Sequence, residues 1–283
     1  MNARATSKVF VGAAPATGIP LDDRGFGYGD GLFETMRAHR GGVPWWDAHW
    51  ARLARGAARL RIALPDQHRV RDEVEGLLAG GDGVLKLVVS RGAGGRGYAP
   101  DDAAVPTWVL SHHRVPPAFA RDGLTLRWCE TRLALQPALA GIKHCNRLEQ
   151  VLARGEWSDL PAPERGVEEG LMRSGEGDVV CATAANVFVL AAGRWITPRI
   201  DRCGVEGVCR GWAMAALAAG ESRLTVADVE SAEAVFLCNA VRGILPVARL
   251  GALAWLPHPQ VRSLQQHLAA EHPAFGAFPT ELS

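Results

Sequence analysis

The chain has 283 residues, of which 48% are apolar, with 31 basic and 30 acidic side chains and a net charge of +1. Such a composition supports one large or two moderate domains, and the near-zero balance without blocks of like charge argues against a nucleic-acid or anionic-membrane surface. No apolar run reaches the length that spans a bilayer, and the N-terminus MNARATSKVFVGA lacks the apolar core of a signal peptide, so a cytoplasmic protein is expected. Six scattered cysteines, Cys129, Cys145, Cys181, Cys203, Cys209 and Cys238, form no CxxC pair. They read as small buried hydrophobes in a reducing compartment, not as a disulfide framework or a zinc site.

Residues 8–12, KVFVG, predict a short strand, and DDRGFGYGDG at 22–31 predicts a glycine-punctuated loop. The loop leads into LFETMRAHRG, which alternates as strands do, with Phe33, Thr35 and Arg37 on one face and Leu32, Glu34 and Met36 on the other. An aromatic, a hydroxyl and a guanidinium on one face suit a pocket wall or a solvent-facing sheet equally well. Asp47 is the expected N-cap of a helix to about Leu64, whose apolar stripe is Trp50, Leu53, Ala57, Leu60 and Leu64. Arg52, Arg55 and Arg59 fall off that stripe and predict a solvated face. A helix over 66–79 follows, then VLKLVVSRGAGGRGY, a strand closing in a glycine-rich loop. Leu85, Leu87, Val89 and Arg91 share one face of it, and an arginine closing an apolar strand face is a candidate for binding an anion.

After the strand TWVLSHH, the segment VPPAFARDG at 115–123 predicts a linker, giving domains 1–115 and 124–283 joined by 116–123. The second half opens with the strand LTLRWCETRL and reaches AGIKHCNRLEQVL at 140–152, where Lys143 precedes a helix expected from about His144 to Glu156. Most positive charge in this chain is arginine. A lysine amine, unlike a guanidinium, can be deprotonated when desolvated, so it can condense with a carbonyl or act as a general base. On this stretch alone a solvated lysine in a helix's first turn is the commoner outcome.

The segment SDLPAPERG predicts a loop, followed by strands at GLMR, DVVCAT and NVFVL, with AAGR turning the last into WIT as a hairpin. DRCGVEGVCRGWAMAALAAG is a glycine-bearing loop running into a helix near Val208. The unpaired N–H groups and partial positive charge at that helix start could seat a phosphate, although no GK[ST] follows and an ordinary turn has the same signature. Strands near LTVADV, AVFLCNA and ILPVARL and a helix around 259–270 close the chain, with no internal repeat.

Taken together, DRGFGYGDGLFETMR, SRGAGGRGY, LAGIKHCNRLEQVL, CGVEGVCR and LCNAVRGILPV resemble the class IV pyridoxal-phosphate aminotransferases, the fold type IV enzymes, through nearly the whole chain. The resemblance implies an α/β fold (mixed α+β) of two α/β domains, a small N-terminal and a larger C-terminal one, with pyridoxal 5'-phosphate held between them. It also implies a homodimer acting on a small-molecule substrate, with no metal and no nucleic-acid or membrane partner. Lys143 would then hold the cofactor covalently and serve as the base. Arg52 and the backbone amides of Val208, Cys209 and Ala240 would bind its phosphate, and Arg91 and Arg37 would bind substrate carboxylates. Thr35 matches a threonine that a lyase branch of the family uses in elimination, where transaminating members carry other residues; that branch makes an aromatic product on the route to folate. A branched-chain or D-amino-acid transaminase of the same fold is the alternative, and a non-catalytic relative a second.

In the wider family a glutamate five residues before the asparagine of the AN[LV]F motif pairs with the pyridine nitrogen of the cofactor. Counting back from Asn186 gives Cys181. A neutral thiol cannot hold that nitrogen protonated as a carboxylate does, so the ring should be a weaker electron sink unless another acid supplies the charge. Elimination that ends in an aromatic ring tolerates a weak sink better than reversible transamination does. The family's tyrosine near the cofactor phenolic oxygen is replaced here by Leu148.

Overall fold

The computed structural model describes residues 6–101, 103–117, 123–158 and 166–276. It divides into two compact units, residues 1–115 with 142–146, and residues 116–141 with 147–283. Most of the linker expected at 116–123 and of the loop SDLPAPERG, namely 118–122 and 159–165, lies outside the described residues. The return of 142–146 to the first unit was not anticipated, since the sequence placed Lys143 in the second half. Its cause is a short backbone pairing in which Phe33 N donates to Lys143 O at 3.0 Å and Cys145 N donates to Gly31 O at 2.9 Å.

The first unit contains β1 (Thr6–Val11), β2 (Ala14–Ala16), α1 (Arg24–Tyr28), β3 (Gly31–Ala38), α2 (Trp46–Leu60), α3 (Gln67–Leu78), β4 (Gly83–Ser90) and β5 (Thr107–His113). Its strands form one antiparallel sheet in the order β2-β1-β5-β4-β3. The short helix α1 lies inside the expected loop. The Asp23 carboxylate accepts from Gly25 N at 2.8 Å and Phe26 N at 3.4 Å, and Gly29 ends the helix at φ 66°. Capping at both ends thus outweighs the helix-breaking glycines. α2 starts at Trp46, with Trp45 as its cap at φ 57°, so Asp47 is a first-turn acid facing the positive end of the dipole and not the cap. It stops at Leu60, short of Leu64, because Arg61 turns left-handed at φ 54°.

The buried residues of α2 are Trp46, His49, Arg52, Leu53, Gly56 and Ala57. Arg52 is therefore on the buried face, which corrects the solvated position expected for it, whereas Arg55 and Arg59 are exposed as expected. A Cβ at Gly56 would lie 2.9 Å from Leu32 Cδ2, so this glycine lets α2 approach β3 closely.

The second unit contains β6 (Leu124–Leu133), α4 (Leu148–Gly155), β7 (Glu169–Ser174), β8 (Val179–Ala182), β9 (Asn186–Ala191), β10 (Arg194–Pro198), α5 (Val208–Leu217), β11 (Gly220–Ser222), α6 (Val226–Glu230), β12 (Ala234–Asn239), β13 (Gly243–Leu250), β14 (Leu253–Ala254) and α7 (Pro259–Glu271). Its sheet runs β11-β10-β9-β12-β13-β6-β7-β8, with β14 paired to β13. One core cluster collects Leu124, Leu126, Leu171, Val187, Val189 and Leu237, and a second collects Cys129, Leu133, Met172 and Cys181 with Ala153 of α4 and Trp157. All six cysteines are free.

Two expectations fail here. α4 begins at Leu148, not His144, because 142–146 is drawn into its pairing with the first unit's β3. LTVADV is not a strand: Thr225 and Asp228 form a capping box that starts α6, which a β-branched run conceals. Among the described residues no helix is long and apolar enough to cross a membrane.

Candidate active site

In the first unit, antiparallel register sets Phe33 opposite Val88, Thr35 opposite Lys86 and Arg37 opposite Val84. Directly opposed residues share a sheet face, so the predicted face of Phe33, Thr35 and Arg37 also carries Lys86. Lys143 Nζ lies 4.2 Å from the Phe33 ring centroid and Lys86 Nζ 5.4 Å from it, so two ammonium groups gather on one aromatic ring. Arg37 is buried, which lowers its pKa against the opposing pull of Asp82. Lys86 was missed because a lysine on an alternating strand reads as solvated; only the pairing across β3 and β4 puts it beside Thr35.

Behind that wall, Glu34 is buried between two partners from α2. Arg52 Nε donates to Glu34 Oε1 at 2.8 Å and Arg52 Nη2 donates to Oε2, a bidentate pair, while His49 Nδ1 is 2.7 Å from Oε2. Burial would raise the Glu34 pKa, but Arg52 and then His49 outweigh it and hold the carboxyl at about 2. Burial lowers the His49 pKa, so the ring is neutral and its Nδ1–H donates to the carboxylate. Glu34 and His49 thereby fix the orientation of the arginine expected to meet a phosphate. Neither was singled out from sequence, since a strand glutamate and a helix histidine eighteen and three residues from Arg52 carry no local signal.

Arg91 is used differently from expectation. Its guanidinium is 6% exposed and makes four hydrogen bonds, from Nε to Asp30 Oδ2 at 2.8 Å, from Nη2 to Asp30 Oδ1 at 3.1 Å and Leu60 O at 2.8 Å, and from Nη1 to Arg61 O at 2.6 Å. It closes the carbonyl end of α2, where a cation is favoured. A substrate carboxylate would have to displace these partners, so the structure assigns Arg91 to the scaffold. The other arginine of that loop, Arg96, is exposed.

In the second unit, α5 begins as expected at Val208. Its cap is Gly207, and no side chain caps the first turn. A Cβ at Gly207 would overlap Asn186 Oδ1, and Asn186 Nδ2 donates to Val205 O at 2.9 Å, so Asn186 and Gly207 together shape the approach to the Val208 and Cys209 amides. Cys209 is fully buried and burial pushes its thiol well above the usual range, so what it offers is its backbone. Ala240 lies in a turn organised by Asn239, whose Oδ1 accepts from Val241 N at 3.0 Å and Arg242 N at 2.8 Å. Gly207→Ala should push Asn186 off Val205, a loss of about 1 kcal/mol, read as a lower thermal midpoint and weaker retention of a phosphate ligand. An unchanged midpoint and unchanged retention would show that the loop relaxes freely.

Cys181 sits on β8 opposite Met172 and is 8% exposed; burial pushes its thiol up to about 12. The nearby acid Glu169 accepts from Gly170 N at 3.0 Å and from the Thr183 hydroxyl, with Arg154 Nη1 at 3.5 Å. Leu148, the first residue of α4, is 76% exposed and offers no polar group. Lys143, Thr35, Arg37 and Arg52 thus belong to the first unit, and Val208, Cys209, Ala240 and Cys181 to the second.

The chain is 34% identical to aminodeoxychorismate lyase of Vibrio harveyi over 86% of its own length and 91% of the relative. The solved 4-amino-4-deoxychorismate lyase of Pseudomonas aeruginosa superimposes with a TM-score of 0.84 at 40% identity, covering 93% of this chain and 99% of that one. A putative branched-chain-amino-acid aminotransferase of Methanocaldococcus jannaschii is 29% identical over 81% of each chain. Residues 31–250 match the family described as Amino-transferase class IV, and this chain, a mixed α/β protein of fold type IV, belongs to it.

Proposed function

We propose that the chain is a pyridoxal-phosphate-dependent lyase that converts 4-amino-4-deoxychorismate to 4-aminobenzoate and pyruvate, on the route to folate. The observation that carries this is the wall on which Thr35, Lys86 and Arg37 share a face with Phe33, against which Lys143 is placed. Similarity to two lyases over most of the chain supports it.

The residues fit the cofactor. The glycine cradle at Gly207 with its uncapped helix start, and Arg52 held bidentately by Glu34, suit a phosphate, and Lys143 is a half-buried amine suited to covalent attachment. When bound, pyridoxal phosphate supplies a ring that accepts electron density from the carbon bearing the substrate amine.

Lys143 Nζ takes the proton from substrate C4. The C4–H electron pair becomes the new C3–C4 double bond, the C3–O bond breaks, and its pair leaves on the enolpyruvyl oxygen. That oxygen gains a proton and the enol tautomerises to pyruvate; the ring left behind is aromatic, which makes the step effectively irreversible. Thr35 positions or protonates the departing oxygen, directly or through a water, since its hydroxyl is too weak an acid to act unaided. Arg37 and Lys86 meet the two substrate carboxylates; they are preferred to Arg91 because its guanidinium is already bonded to the last carbonyls of α2. The working form would be a cytoplasmic homodimer, which sedimentation at micromolar concentration tests.

The deciding measurement is 4-aminobenzoate and pyruvate released in equal amounts from enzymatically generated 4-amino-4-deoxychorismate, compared with keto-acid turnover from an amino donor. Faster transamination than 4-aminobenzoate formation would replace the lyase by a branched-chain or D-amino-acid transaminase. Thr35→Ala should lower elimination by about 100-fold while the visible cofactor band is kept; loss of that band as well would make Thr35 structural.

A further inference from the structure

The second unit contains a cavity of about 640 Å³ bounded by α4, the starts of β6 and β7, and the turns that follow β8 and β12, the size of a small-molecule site. It adjoins the turn that carries Ala240, but no group assigned to the cofactor or to the substrate lines it. Three arginines line it, Arg147, Arg154 and Arg242, against two acids, Glu168 and Glu169. Both acids are engaged by the scaffold. Glu168 Oε2 accepts from Thr125 N at 3.0 Å, and Glu169 Oε1 accepts from Gly170 N at 3.0 Å and from the Thr183 hydroxyl. Arg154 Nη1, which donates to Glu168 O at 2.9 Å, lies 3.5 Å from Glu169 Oε1 and offsets part of that charge. Arg242 is the under-compensated cation: burial lowers its pKa further than Glu169 and Glu168 raise it, and Arg154 adds to the fall. A cation so placed gains from an incoming anion. Gln150 Oε1 is buried in the same lining and has no hydrogen-bond partner among the described residues, so a donor is wanted as well. Leu124, Val151 and Leu245 add apolar surface that an inorganic anion would leave uncovered.

We propose that this cavity is a second ligand site that takes a small organic acid, with its carboxylate on the arginines, its apolar body against the leucines and valine, and an amino or hydroxyl hydrogen for Gln150. A guanidinium presents a planar pair of N–H groups that matches a carboxylate, so the ligand is oriented as well as attracted. Each part of the ligand answers a feature that the lining leaves open: the excess of positive charge, the apolar walls and the unmet acceptor. All of the lining belongs to the second unit, and the site does not depend on the reaction assigned above.

The probe is 4-hydroxybenzoate, titrated calorimetrically into the full-length chain loaded with pyridoxal phosphate. It should bind with a dissociation constant below about 1 mM. Benzoate should bind more weakly, because it brings no donor for Gln150, and 4-hydroxybenzamide and inorganic phosphate at least about tenfold more weakly. Arg242→Gln should lower the affinity for the probe by at least about tenfold, and Arg242→Lys, which keeps the charge and loses the fork, by less. Gln150→Glu preserves the shape of the side chain, adds a like charge beside the ligand and removes at least about tenfold in affinity. Lys86→Gln, on the wall of the first unit, should bind the probe as wild type does. Loss of binding in Lys86→Gln with none in Arg242→Gln would put the probe on that wall and overturn the proposal. Equal affinity for the acid and the amide, or phosphate binding as tightly as the acid, would overturn it too. If Arg242→Gln misfolds, Gln150→Glu decides, and undiminished affinity in that folded variant refutes the site.

Discussion

Lys143→Ala is expected to lower 4-aminobenzoate formation by at least about 10,000-fold, since one residue is assigned both the covalent attachment and the proton transfer. Stability should change little. The side chain is half-buried, so solvent can take up part of what it loses, and its contact with the Phe33 ring at 4.2 Å is a cation–π interaction of about 1 kcal/mol. The backbone that places it, Lys143 O accepting from Phe33 N, does not depend on the side chain. A rate collapse with an unchanged thermal midpoint would therefore locate the loss in chemistry. Lys143→Arg should be no better than alanine, because a guanidinium stays protonated and cannot take the C4 proton. The visible band of the holoenzyme, and its removal by borohydride, should vanish in both variants. If Lys143→Ala retained more than about a tenth of the wild-type rate, the base would have to be sought elsewhere on the same wall, first at Lys86.

Why Lys143 could be found in the sequence while its surroundings could not follows from how far apart the partners lie. The alternation of β3 and the start of α5 at Val208 are local patterns, and both were legible. Lys143 stood out by chemistry, but its place in the first unit depends on hydrogen bonds to β3 more than a hundred residues earlier. Arg52 looked solvated because a buried charge is tolerable only with its counter-charge, and Glu34 lies on another element. Arg91 was legible as an anion binder for the same reason it proves structural: an arginine at the end of an apolar strand needs acceptors, and here Asp30 and the last carbonyls of α2 supply them. Lys86 entered the wall only through register, which a single strand cannot reveal. At Cys181 the motif count located the residue, whereas its place opposite Met172 required the pairing of β7 and β8.

Glu34→Gln should be the most destabilising substitution at the site. The carboxylate and His49 are each about 1% exposed and Arg52 5%, so solvent cannot replace a lost partner. Removing one member of a buried, bidentate ion pair costs about 3–5 kcal/mol, because the remaining charge is left uncompensated, and for a unit of this size that lowers the thermal midpoint by roughly 10 °C. The linkage has a definite sign. Glu34 in the folded chain titrates at about 2, below its ordinary 4.5, so its contribution is fully present above 4.5 and is lost as pH falls toward 2. A depression of that size corresponds to about 3 kcal/mol. Urea midpoints should fall more steeply with acid for wild type than for Glu34→Gln over that window, and the two curves should converge at its lower end. Removing both charges together, Glu34→Gln with Arg52→Gln, should cost less than the sum of the single changes, which marks the pair as coupled. Cofactor retention should drop in Glu34→Gln even though the glutamate is assigned no contact with the phosphate, because Arg52 loses the bidentate partner that orients it. Parallel urea curves with equal midpoints near neutral pH would mean that the buried pair neither stabilises the unit nor positions the arginine.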